Sequence, residues 1–175
     1  MRAHRLALIC SLALLAVPAS ARLWKPTPDQ LALEYVSVNH NKGADGRVIL
    51  GWMASPLVAA PTIKQILDRY VVVSIAHTRQ DSSGVTSWDD IQGVQATDGG
   101  GQALKEVPQD AILPALVGLI AQSEAVLRQT TQGKGKVYWS VYEAGSVNAC
   151  AKGRLVVTYQ NEAYSFDTPI PGCQK

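Results

Sequence analysis

The sequence predicts an α+β fold: a mostly antiparallel sheet with one main helix and one short helix packed on one face. Three features lead there. Runs of β-branched and aromatic residues recur along the chain, bounded by clusters of Gly, Asn and Asp. Apolar residues at helical spacing occupy two segments, each opening on a proline. Several of the β-rich runs are joined by turn sequences too short to carry a crossover helix, so hairpins are expected.

Ahead of that domain, MRAHRLALICSLALLAVPASA (1–21) has a basic start at Arg2 and Arg5, an apolar run from Leu6 to Val17, and small residues at Ala19, Ser20 and Ala21. This is the layout of a cleaved signal peptide. The apolar run falls well short of the roughly 20 residues that a spanning helix needs. Cys10 follows Ile9, where a lipoprotein signal calls for a small residue. Residues 22–30, RLWKPTPDQ, hold two prolines and read as an extended segment. A single α+β domain is expected over 31–175, a size that suits one core.

Leu31, Leu33 and Tyr35 alternate in LALEYVSV, and RVILGWM (47–53) is a second β-rich run; NHNKGADG between them suggests a hairpin. In PTIKQILDRY (61–70), Ile63, Ile66, Leu67 and Tyr70 form one helical face behind Pro61. VVVSIAHT (71–78) is β-branched enough for a buried strand, and RQDSSG ends it. One or two weaker strands are expected within 84–97, then a turn at DGGGQ before Ala103–Val107. The main helix should run from Pro114 to about Thr131, with Leu116, Leu119, Ile120, Val126 and Leu127 on one face and QGKG as its stop. KVYWSVYEA, RLVVTY and AYSFD complete the strands, the last two joined through Gln160–Glu162.

The net charge of +2 equals the charge of Arg2 and Arg5, so the chain after Ala21 is formally neutral. A neutral domain has no overall field to draw it onto phosphate or anionic lipid, and no nucleic-acid partner is expected. The charges are segregated all the same. Asp81, Asp89, Asp90, Asp98, Glu106 and Asp110 stand against Lys105 alone, and Arg128, Lys134, Lys136, Lys152 and Arg154 against Glu143 alone. These stretches either give a bipolar surface that orients a partner, or form two solvated faces, or pair on folding.

With Cys10 removed, Cys150 and Cys173 form an even pair in an exported protein, and a structural disulfide is expected. They flank the Arg154–Asp167 hairpin, and a loop of about 24 residues closed in this way is worth roughly 3 kcal/mol. The spacing is not the C-x-x-C of redox pairs.

TTQGKGKV lacks the upstream glycine and the following Ser or Thr of a phosphate loop, and reads as a helix stop. HTRQDSS gathers His77, Asp81, Ser82 and Ser83, the residue types of a hydrolase triad, but there is no G-x-S-x-G elbow. On a strand His77 would share the face of Val71, Val73 and Ile75, which makes it a core-edge histidine; it is also the catalytic candidate if the protein is an enzyme. Asp89, Asp90 and Asp98 do not follow a calcium-loop pattern, and His40 with His77 cannot complete a zinc site beside oxidised cysteines, so no metal and no cofactor are expected. Tyr138 and Tyr142 lie on the opposite strand face from Trp139; facing outward they would make a binding surface, facing inward a second buried face.

These readings lead to an exported protein, periplasmic or extracellular, with no membrane span after signal cleavage. Its expected role is a non-enzymatic binding module for another protein or a cell-envelope component. The alternatives are a small secreted hydrolase using His77 and a subunit of an envelope assembly; the latter predicts a broad exposed apolar patch.

Overall fold

β-branched residues at Val71, Val72, Val73 and Ile75 make β3 (Tyr70–Gln80) the strand around which the rest is arranged. A computed structural model describes residues 36–40, 46–58, 60–130, 134–170 and 172–173. The expected signal peptide, the extended segment 22–30, the start of the first β-rich run, the centre of the turn after it (41–45), the expected last residue of the main helix (131) and the first two residues of its stop (132–133) lie outside these. Within them, β3 is apolar on both faces, and both are covered.

Along one edge β3 pairs antiparallel with β2 (Gly46–Met53), which pairs in turn with β1 (Val36–His40). Its other edge is shared: β6 (Tyr138–Glu143) takes Tyr70–Ile75, and the short β4 (Thr86–Trp88) takes Thr78–Gln80. The remaining strands, β5 (Gln95–Asp98), β7 (Gly153–Tyr159) and β8 (Glu162–Thr168), form a second antiparallel sheet in the order β5-β7-β8. The fold is α+β with antiparallel sheets and two helices, and its strands divide between two sheets. The two runs expected within 84–97 become β4 and β5, one in each sheet. Ala103 and Glu106 make isolated bridges to Thr97 and Tyr142 in place of a strand.

Period-two alternation explains how the sheets meet. Val48, Leu50 and Trp52 of β2, with Val71, Val73 and Ile75 of β3, face Leu155, Val157 and Tyr159 of β7 and Tyr164 and Phe166 of β8. Trp52 meets Phe166 edge-on, with ring centroids 6.0 Å apart. Each fully buried Val or Leu there stabilises by about 1.5–3 kcal/mol. Gln160 and Asn161, at φ 51° and 65°, make the two-residue turn that sets the β7–β8 register.

The helices cover the opposite face of the larger sheet. Leu67 of the short helix (Pro61–Leu67) and Leu116 of the long helix (Pro114–Thr130) pack on Val72 and Val141, with Ile63, Ile66, Leu119, Ile120 and Trp139 around them. Leu116 is fully buried. Ser123, the polar break in that stripe, turns its hydroxyl back onto the Leu119 carbonyl. The short helix ends three residues before Tyr70, because Tyr70 already pairs with Glu143 in the sheet. No helix among the described residues is long and apolar enough to cross a membrane.

Cys150 and Cys173 are joined, with Cα atoms 5.3 Å apart. The bridge ties the tail to the loop before β7, where the Ile170 amide also donates to the Ala149 carbonyl.

Candidate functional site

His77 faces the space between the sheets, on the side of Val71, Val73 and Ile75, and is 6% exposed. Its Nδ1 lies 3.1 Å from Oδ2 of Asp89 and 3.4 Å from the Tyr159 hydroxyl, and the Tyr159 ring meets the imidazole edge-on. The Asp89 amide donates to the His77 carbonyl, so the two residues stand opposite each other in the continuation of the β3–β4 hairpin. Arg79, two residues along the same face, grips the Asp89 carboxylate through Nε and Nη2 at 2.8 Å each. Hydrogen bonding to that carboxylate, then its charge, raises the Arg79 value further. Burial pushes the Tyr159 phenol up, and the Asp89 charge adds to this.

A carboxylate on Nδ1 of a histidine is the orienting half of a hydrolase triad. Here the same carboxylate is also held by a guanidinium, and the imidazole is enclosed between two sheets. Ser83 and Asp81, which lie near His77 in sequence, belong to a separate surface turn: the Ser83 hydroxyl and the Ser83 and Val85 amides donate to Asp81. These bonds hold the Asp81 carboxyl below its usual range.

The two tyrosines point inward. Tyr142 is 2% exposed and donates its hydroxyl to the Val94 carbonyl. Tyr138 is half-buried, and its hydroxyl donates to Asp90, which Lys136 also contacts. They do not form an exposed platform. Asp90 is held low, first by the Tyr138 hydroxyl and then by Lys136.

Asp98 organises a surface cleft. Its Oδ1 accepts the Gly100 and Gln102 amides, each at 2.9 Å, and its Oδ2 accepts the Ser146 hydroxyl. The Ser146 bond is the main reason the carboxyl titrates below its usual range. Gly99 runs close against Arg154: a β-carbon there would sit 3.3 Å from the Arg154 Cβ. Asp98, Gly99, Gly100, Ser146, Lys152, Gly153 and Arg154 line an open cleft of about 520 Å³. The disulfide fastens one wall, since Cys150 lies between Ser146 and Lys152. Arg154 is paired with Asp167.

Sequence reasoning placed His77 on its face but missed Asp89 and Arg79 as its neighbours. The signal was there: a hairpin folding about Ser83 sets Asp89 opposite His77. Tyr159 comes from the other sheet, and no local pattern announces it. The cleft draws on residues from Asp98 to Arg154, brought together by the pairing of β5 with β7. Comparison with protein-family models, with curated proteins and with solved structures returns no match.

Proposed function

We propose that this is an exported, non-enzymatic binding module whose partner is another protein or a cell-envelope component. The observation that carries the reading is the Asp98–Arg154 cleft. Its floor is preorganised by three hydrogen bonds to one carboxylate, and one of its walls belongs to the loop that the Cys150–Cys173 bridge holds. Preorganisation lowers the ordering cost of binding. Lys152 on that wall suits a partner that presents an acidic group. The signal-like leader and the disulfide favour an oxidising compartment outside the cytoplasm.

The test is capture from a cell-envelope extract on the purified oxidised protein, with Cys150→Ser/Cys173→Ser and Lys152→Glu as controls. The expected result is stoichiometric recovery of one partner, weakened about tenfold or more in both controls, equivalent to about 1.4 kcal/mol. Recovery of nothing removes the reading. Recovery undiminished by Lys152→Glu moves the binding surface away from the cleft.

The Asp89–His77 contact favours a second reading, a hydrolase based on that pair. Turnover of ester, amide or glycoside substrates that disappears in both His77→Ala and Asp89→Asn would replace the binding reading. The envelope-assembly reading calls for a broad apolar patch. The large apolar side chains exposed among the described residues are Val85 and Val117, on separate elements.

A further inference from the structure

We propose that the protein forms a two-fold homodimer by pairing β8 antiparallel with β8 of a second copy, with Ser165 on the axis. β8 is an outer strand of the smaller sheet, and β7 is the strand it pairs with. The two-residue turn makes Tyr159 and Glu162 a hydrogen-bonded pair. Residues 162, 164, 166 and 168 therefore direct their backbone groups at β7. Ala163, Ser165 and Asp167 direct theirs outward, and no partner for those outward amides and carbonyls exists among the described residues.

The other edges among the described residues are bridged or shorter. Ala103 bridges β5 at Thr97, Glu106 bridges β6 at Tyr142, the Val107 amide donates to the Val141 carbonyl, β4 has three residues, and β1, the outer strand of the larger sheet, has five against the seven of β8. β8 offers seven residues with no proline, lysine or glycine among them, and its two charges are engaged within its own sheet, Glu162 by the Tyr164 hydroxyl and Asp167 by Arg154; a strand edge of this kind is a template for another strand.

Self-complementarity identifies the occupant. The midpoint of Glu162–Thr168 is Ser165, one of the outward-facing residues, so the register that pairs the whole strand also sets Ser165 against Ser165 in a hydrogen-bonded pair. Ala163 then faces Asp167 of the second copy, Glu162 faces Thr168, and Tyr164 faces Phe166. No carboxylate meets a carboxylate, and the aromatic pairs extend the Trp52–Phe166 cluster across the axis. The contact is isologous and closes as a dimer.

Sedimentation equilibrium of the purified oxidised protein tests this from about 5 to about 500 µM, the range suited to a contact smaller than the standard 1,200–2,000 Å² interface. Wild type is expected to dimerise within that range. Ser165→Pro removes the axial amide without touching the β7 ladder, and Ser165→Lys opposes two ammonium groups on the axis. Each should weaken dimerisation at least about tenfold with unchanged circular dichroism; where proline disturbs the fold, Ser165→Lys decides. A wild type that stays monomeric throughout overturns the proposal, and an extended peptide of another protein then becomes the occupant to seek. Undiminished dimerisation in Ser165→Lys overturns it equally, since the contact then lies elsewhere.

Discussion

His77, Asp89, Arg79 and Tyr159 hold a polar contact between two apolar sheets, and the cost of breaking it is set by what remains behind. His77→Ala leaves the Asp89 carboxylate in the grip of Arg79 but takes the imidazole from it, and leaves the buried Tyr159 hydroxyl facing a hole. A buried polar group that loses its partner costs about 1–3 kcal/mol, and the cavity adds to this. Urea unfolding should show a loss of about 2–4 kcal/mol; a loss under about 0.5 kcal/mol would mean that the cluster does not join the sheets. Tyr164 gives a pH signature. Burial, then its bond to Glu162, pushes its phenol up to about 12. The folded value thus lies above the unfolded value of about 10. The stabilisation is complete below pH 10 and is lost as pH rises from about 10 towards 12. Thermal midpoints followed from pH 9 to 12 should fall less steeply in Tyr164→Phe than in wild type; parallel curves would refute this.

The long helix owes its place to one side chain more than to its propensity. Leu116→Ala empties a fully buried site between helix and sheet and should cost about 2–5 kcal/mol. Val117→Ala, at a position 50% exposed, should stay within about 0.5 kcal/mol. Equal losses would show that the helix is not docked through Leu116. Both helices were legible from apolar spacing behind a proline, and the β7–β8 hairpin from its turn residues. The end of the short helix was not, because Tyr70 satisfies the helical stripe and the strand register alike, and pairing with Glu143 decides between them.

At the scale of the whole molecule, the disulfide acts on the unfolded chain. Cys150→Ser/Cys173→Ser should lose roughly 3 kcal/mol in urea unfolding. Prolonged acid should matter at the Asp98 cleft. A carboxyl held low in the fold stabilises above its unfolded value of about 3.9, and that stabilisation is lost as pH falls below it. Asp98→Asn should flatten the fall of the thermal midpoint below about pH 4; an unchanged fall would exclude Asp98 as a contributor. The acidic and basic stretches that stand apart in sequence meet in the fold, through Lys136 with Asp90 and Lys105 with Glu143. Both pairs are exposed, so their effect on stability is small.

The sequence by itself determined the α+β class, the two helices, the hairpin that closes the chain, the cysteine pairing and the face on which His77 lies. All of these follow from local spacing, turn chemistry or an even cysteine count. Tertiary structure alone decided that the strands divide into two sheets, that Tyr159 reaches His77, that Tyr142 is buried, and that Asp98 and Arg154 share a cleft. Periodicity tells which face a side chain takes, but the neighbour across that face is set by contacts between residues far apart in the chain. Sequences as short as VVVSIAHT or QAT carry no record of them.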